Sequence, residues 1–429
     1  MTRYDCIIVG TGPAGLGAAF RLKQEQPGLT LLMIDKARAS TGGLRNDCKM
    51  NFTYPVGFPH GCWNREQGEY YLGKVEQHLT PDILNRENLQ VYEKRANRLG
   101  VQLLEVRQSH LGTDGGKKLI KQLTGELEQW GVEFALGETV TGIDAEKRIL
   151  TTKERELEFG RVIVAPGRSG FRFLQTVMNE NKIDYIDNVV DIGIRVETRV
   201  ENYPIVRDYY DPKFYFPDKV RTFCTNSGAA FVVREKYKGL HDESYFSVNG
   251  HAFSSAHKAN GLVNFALLKT VSLTQPLASG QAYAEMLGKM AMLMGGGRPL
   301  MQRVGDFRLG KRSKTESFNS DLFDFEPTLK NCTAGDISLS MPARILRAIW
   351  KSLKYLDTII PGVLHPGTIM YYPEIKLYAN RPEFSDAYFQ TARRMYLIGD
   401  GAGTSRGITA AWASGIRAAD GILKELSSG

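Results

Sequence analysis

Six residues near the start of the chain, Gly10-Thr11-Gly12-Pro13-Ala14-Gly15, place glycine at the first, third and sixth positions of a short run. That spacing does chemistry only between a strand and a helix, and both are signalled. YDCIIV over 4–9 is apolar and rich in β-branched residues, and AAFRLKQE beyond Gly17 continues with helical spacing. In that setting Gly10 permits a tight turn, Gly12 lets the backbone approach a pyrophosphate, and Gly15 lets the helix pack close to the strand. Pro13 and Ala14 stand at the helix N-terminus, where unpaired N–H groups and a positive dipole end favour phosphate. A second strand, LTLLMID, ends on Asp35, followed by Lys36; a carboxylate there accepts hydrogen bonds from a ribose diol. The residues spell a dinucleotide site.

A second group lies at the far end of the chain. Met395-Tyr396-Leu397-Ile398-Gly399-Asp400 reads as a strand ending in Gly-Asp, and a helix begins near Gly407-Ile408. A third piece, Val162-Ile163-Val164-Ala165-Pro166-Gly167, is a strand followed by a turn. Together, in this order, the three resemble the motifs of the glutathione-reductase-like FAD superfamily. The resemblance implies FAD rather than NAD, with Asp400 on the ribityl chain and the helix N-terminus at Gly407-Ile408 facing the flavin N1–O2 edge. It also assigns Gly42, Gly43, Val140, Ala165 and Gly167 to the cofactor. No second strand-GxGxxG-helix unit occurs, so no separate nicotinamide domain is expected, and NAD(P)H is retained only as a transient electron donor or acceptor.

Several further stretches resemble the bacterial and archaeal FAD-dependent dehydrogenases of largely unassigned substrate. These are SHLGTD (109–114), APGRSG with DIGIRVE (191–197), RTFCTNSGAAFVV (221–233), SVNGHAF (247–253), GGGRPLMQRVGDF (295–307) and GDGAGTSRGITAAWASGI (399–416). The likeness implies hydride transfer between FAD and an organic substrate. The chain departs from that group in lacking its long N-terminal extension and in residues 46–70, NDCKMNFTYPVGFPHGCWNREQGEY. Flavin monooxygenase and prenyl-chain reductase are the alternatives among enzymes, and a non-catalytic carrier or escort protein is the alternative of another class.

Two side chains are candidates for catalysis: Arg406, directly after the second flavin motif, and His60, in the FPHGCW loop, as a proton donor or acceptor. His110 has a structural or pocket role. For Arg195 a strand salt bridge is preferred to a substrate clamp. The aromatic run 203–216 reads as an edge strand packing on a core, ahead of a substrate pocket. MLGKMAMLM (286–294) reads as core filling, and 342–361 as a domain-packing helix rather than a membrane-surface one.

The elements that must position these residues alternate between strand and helix at both ends of the chain. The expected fold class is therefore α/β, a Rossmann-like FAD-binding domain with a parallel sheet and an inserted α+β substrate domain. The expected boundaries are 1–195 for the first part of the FAD domain, 196–305 for the insert, and 306–429 for the return, with a helical segment around 340–361. Residues 41–100 read as irregular, and a helix is expected over 114–131.

Composition excludes little but excludes it cleanly. A net charge of +8 spread along 429 residues lacks the clustering of a nucleic-acid protein and suits collection of an anionic ligand. Five separated cysteines with no CxxC signal neither a redox dithiol nor a zinc site, and fit a reducing cytoplasm. No metal is expected. No apolar run reaches the ~18 residues a span needs, and no leader is read before the first strand. A small organic substrate and a possible redox partner complete the expectation, with no nucleic acid and no membrane insertion.

Overall fold

The structure is a computed structural model that describes residues 2–428 apart from 41, 46–47, 83–88, 188, 240–242, 254–257, 275–278, 320–324, 379 and 393. The chain forms two compact units: 1–84, 107–188 and 378–429 make the first, and 85–106 with 189–377 make the second.

The first unit is built on a parallel sheet. Its strands run in the spatial order Gln390–Ala392, Met395–Leu397, Glu156–Val164, Thr2–Val9, Leu31–Asp35, Val132–Leu136. All neighbouring pairs are parallel except the first, which is antiparallel. Cys6, Ile7, Ile8 and Val9 are buried without a break, as a strand must be when helices cover both faces of its sheet. From Thr2–Val9 the chain moves outward through Leu31–Asp35 to Val132–Leu136, then returns to the opposite side at Glu156–Val164. That reversal is a topological switch point, and the crevice beyond the carboxyl ends of the two central strands is where such sheets bind ligands.

Helices Pro13–Glu25 and Gly407–Ser427 share a core in which Phe20, Trp412 and Trp130 meet ring to ring. Within the stretch read as irregular stands a helix, Arg65–Val75. Asn64 caps it and Gln67 bonds back to the Asn64 backbone, a capping box that the spacing N-x-x-Q carries in the sequence.

The second unit is an antiparallel-rich sheet in the order Thr333–Ala334, Leu300–Arg303, Ile369–Leu377, Val190–Arg199, Leu262–Val271, Val220–Asn226, Lys213–Phe216, Gln102–Leu104. Val190, Ile192, Ile194 and Val196 join the apolar face of helix Ala343–Ile359 in one core. That helix is therefore a packing element. The segment 306–377, read from sequence as part of the return to the first domain, belongs to this unit, because Ile369–Leu377 pairs with Val190–Arg199 along most of its length. Residues 203–216 are a 3₁₀ end, a short helix and then an inner strand, with Tyr203, Tyr209 and Phe214 fully buried. The expected edge is occupied instead by Gln102–Leu104. In Gly280–Met294, Leu287 and Ala291 are buried, but Met286, Met290, Leu293 and Met294 are 40–82% exposed, so core filling describes only one side of this helix.

Arg195 makes the salt bridge preferred for it. It is fully buried, and its Nε and Nη2 reach Glu374 Oε2 and Oε1 at 2.6 and 2.7 Å, a fork-to-fork pair that leaves the guanidinium no reach toward a ligand.

Candidate dinucleotide site

Leaving Val9, the chain turns at Gly10, whose φ of +106° favours glycine. A Cβ at Gly10 would lie 2.2 Å from the Ala165 carbonyl oxygen, and one at Gly15 would lie 2.0 Å from the Gly10 carbonyl oxygen. These two glycines are required by the protein's own packing. Gly12 is different: its φ of −73° suits any residue, and a Cβ there would meet nothing within 4 Å. The space above Gly12 opens onto the N-terminus of helix Pro13–Glu25, which no side chain caps. Pro13 lacks an N–H that would need a partner, and the N–H groups that follow remain available to an anion.

Asp35 ends the neighbouring strand, and its carboxylate is already oriented. Thr11 donates its backbone N–H and its hydroxyl to Oδ2, each at 2.9 Å, and Ala37 N–H donates to Oδ1 at 2.9 Å. Oδ2 has both of its lone pairs engaged by Thr11, and Oδ1 keeps a second lone pair for an outside donor. Gly137 and Glu138 N–H groups donate to the Asp35 carbonyl at 2.8 and 3.1 Å, which brings the strand beginning at Val140 alongside. Val140 is buried with Val9, Ile34 and Val164, while Lys36 is exposed.

Ala165 N–H donates to the Val9 carbonyl at 2.7 Å, so the turn Ala165-Pro166-Gly167 sits beside the glycine turn. The next strand out ends at Gly399-Asp400. Ser405 Oγ donates to Asp400 Oδ1 at 2.8 Å and Gly407 N–H to Oδ2 at 3.3 Å, with Arg168 Nε 3.9 Å from Oδ2. Asp400 thus sits against the positive end of helix Gly407–Ser427. Gly42 and Gly43 form a 3₁₀ turn with Leu44, and a Cβ on Gly43 would come within 3.1 Å of Ile408 Cγ1. The glycine turn adjoins Ala165–Gly167, Gly43 adjoins Ile408, and Asp400 adjoins Gly407.

The candidates for catalysis are placed differently. Arg406 is the N-cap of helix Gly407–Ser427, and its guanidinium carbon lies 3.2 Å over the centroid of the Tyr378 ring. His60 is exposed on the loop preceding Cys62.

Sequence reasoning passed over the anchors of this loop. Trp63 Nε1 donates to the Thr404 carbonyl at 2.6 Å, and Arg406 N–H donates to the Gly57 carbonyl at 2.8 Å. Arg417 is buried between the rings of Trp63 and Phe389, 4.7 and 4.6 Å from their centroids, and donates to the carbonyls of Cys62 and Ala387 at 2.9 and 2.6 Å. Burial lowers the pKa of Arg417. Burial also pushes the Cys62 thiol up, while Arg381, Arg417 and Arg406 pull it the other way. Thr11 was overlooked as well, although a hydroxyl inside the glycine run was visible in the sequence.

Among the described residues no cluster of metal-ligating side chains occurs, and no helix is long and apolar enough to cross a membrane.

No family model matches the chain. An uncharacterized protein of Clostridium beijerinckii is 22% identical over 455 residues, covering 98% of this chain and 80% of that protein. Among solved structures, L-proline dehydrogenase from P. horikoshii superposes with a TM-score of 0.45 at 11% identity, covering 99% of this chain and 94% of that one. Glycine oxidase from Bacillus cereus gives 0.42 at 11%, covering 98% and 95%. CtdE, solved in complex with FAD, gives 0.38 at 10%, covering 99% and 85%.

Proposed function

We propose that this chain is an FAD-dependent oxidoreductase that moves a hydride between the flavin and a small organic substrate. The observation that carries this reading is the meeting of three strand ends at one switch point: Gly10–Gly15, Ala165–Gly167 and Gly399–Asp400, with open space above Gly12 and Gly167.

The residues fit the group. Gly12 and the uncapped N-terminus of helix Pro13–Glu25 would hold the pyrophosphate. Asp35, preset by Thr11, would accept from the adenosine ribose, and the backbone at Val140 would flank the adenosine. Asp400 would accept from the ribityl hydroxyls, and the start of helix Gly407–Ser427 would face the pyrimidine edge. When bound, the isoalloxazine ring supplies two-electron redox chemistry. The chain supplies orientation and charge: the helix N-terminus and the Arg406 guanidinium stabilise negative charge that develops at that edge. The Gly42-Gly43 turn beside Ile408, and the loop 53–63 bonded to Thr404 and Arg406, would border the start of this helix. Exposed His60 has no side-chain hydrogen-bond partner among the described residues that would orient it for proton transfer.

The test is anaerobic reduction of the protein-bound FAD by candidate substrates, followed by reoxidation with an artificial dye or with oxygen. Bleaching by an organic substrate and recovery with the dye support a dehydrogenase. A flavin that no substrate or nicotinamide reduces would contradict the reading and favour a carrier protein.

A further inference from the structure

Arg381 stands on the short strand Asn380–Pro382, which pairs with Tyr185–Asp187. The residue is exposed, and it has no ion pair or hydrogen bond among the described residues. Its guanidinium nevertheless lies against the loop that ends at Trp63: a Cβ on Gly61 would sit 2.5 Å from Arg381 Nη2, so any larger residue at 61 would displace it.

The next residue, Cys62, reports the local field. It is half-buried, and the charges acting on its thiol among the described residues are three guanidinium groups, those of Arg381, Arg417 and Arg406. Arg417 is spent on the carbonyls of Cys62 and Ala387 and on two rings, and Arg406 is stacked on Tyr378. Arg381 alone of the three has a full fork of donors unspent. A planar guanidinium held against the Gly61 backbone in a positive corner, exposed and with its donors unspent among the described residues, matches a carboxylate in charge and in geometry. The corner adjoins the turn that leads into the second helix of the site, since Cys62 Sγ lies 3.8 Å from the Gly403 carbonyl oxygen.

We propose that Arg381, seated against Gly61 and beside Cys62, binds the carboxylate of an organic-acid substrate. The assignment of this anion to the enzyme's substrate rests on the reading as a flavin oxidoreductase; the anion site itself does not.

The experiment is alkylation of Cys62 in the protein as purified, located by peptide mass mapping. The thiolate displaces iodide from either iodoacetate or iodoacetamide, forming a C–S bond. The ratio of the two rates cancels the thiolate fraction and leaves the local potential. Arg381→Gln should lower the iodoacetate-to-iodoacetamide ratio about five-fold at low ionic strength, the effect of one unit charge at close range in water. Arg381→Lys should restore most of it. Benzoate should slow wild-type labelling more than benzamide at equal concentration. Should Cys62 react too slowly, benzoate titration read by intrinsic tryptophan fluorescence replaces the assay, with saturation expected in the wild type and lost in Arg381→Gln. An unchanged ratio, equal protection by benzamide, or protection by inorganic phosphate with none by benzoate would overturn the proposal. FAD content is measured on the same samples: its absence would defeat the flavin reading and leave the ratio interpretable.

Discussion

Thr11 gives both its backbone N–H and its hydroxyl to one oxygen of Asp35, Oδ2, each over 2.9 Å. The glycine turn therefore fixes the acidic residue of the next strand before any ligand arrives, so that on the proposed reading the ribose would meet a carboxylate already held in one orientation. Asp35→Ala should weaken FAD binding by about 1.5–3 kcal/mol, roughly 10- to 150-fold. Thr11→Val removes only the hydroxyl and should cost about 0.5–1.5 kcal/mol. Fluorescence titration of apoprotein with FAD measures both. An unchanged dissociation constant in Asp35→Ala would show that another acidic residue holds the ribose.

Two glycines of the same turn should fail in different ways. Gly12 has ordinary dihedrals and open space, so Gly12→Val should lose FAD and yet fold with the melting temperature of the wild-type apoprotein. A Cβ on Gly15 would meet the Gly10 carbonyl oxygen at 2.0 Å, so Gly15→Ala should destabilise the first unit itself, by about 1–3 kcal/mol. Circular-dichroism melts alongside flavin absorbance separate the two. Equal melting temperatures for both variants would contradict the packing argument.

In the second unit, Glu197 is fully buried and accepts from Tyr371 Oη at 2.6 Å and from Thr328 N–H at 3.2 Å. Burial is the main influence and raises its pKa, with those hydrogen bonds opposing. The folded state therefore favours the protonated carboxyl more than the unfolded chain does. The associated stability is complete below the unfolded pKa and is lost as pH rises through the folded one. Glu197→Gln is neutral at every pH and lacks this loss. The melting temperature of the wild type relative to Glu197→Gln should thus fall as pH rises above the ordinary carboxylate range. A difference that rises with pH would show that the carboxylate is the favoured form, and a flat one that folding does not shift the group; either would contradict the prediction.

Arg406 lies over Tyr378 at the start of helix Gly407–Ser427, where it adds positive charge to the helix dipole. Arg406→Ala should lower the two-electron potential of the bound flavin by about 30 mV, equivalent to about 1.4 kcal/mol, and leave FAD content nearly intact. Arg406→Lys should recover part of it, since charge carries the effect. Equilibration with dyes of known potential gives the value. An unchanged potential would mean that the guanidinium does not reach the flavin.

The central strands and the glycine turn were legible because local pattern and local function coincide there. Tyr4–Val9 is apolar, the turn glycines follow at once, and Asp35 closes the next strand. The long-range placements were not legible. Ile369–Leu377 joins the second unit through pairing with Val190–Arg199, a register that no local spacing encodes. Arg417 is buried between Trp63 and Phe389, and a basic residue on a helix face ordinarily reads as solvated. Met286, Met290 and Leu293 read as core because their side chains are apolar, yet they fall on the outward side of their helix. The helix Arg65–Val75 was a different kind of miss, since its Asn64–Gln67 capping box was present in the sequence and outweighed by the irregular residues before it.

The most direct measurement is identification of the nucleotide that the protein carries. Purified protein is denatured, and the supernatant is separated by chromatography against FAD, FMN, NAD and NADP standards, with the flavin absorbance of the native sample recorded first. The account predicts a yellow protein that releases FAD at about one equivalent per chain, or takes it up to that level on reconstitution. Release of NAD alone, or failure of the reconstituted protein to retain any FAD, would contradict it.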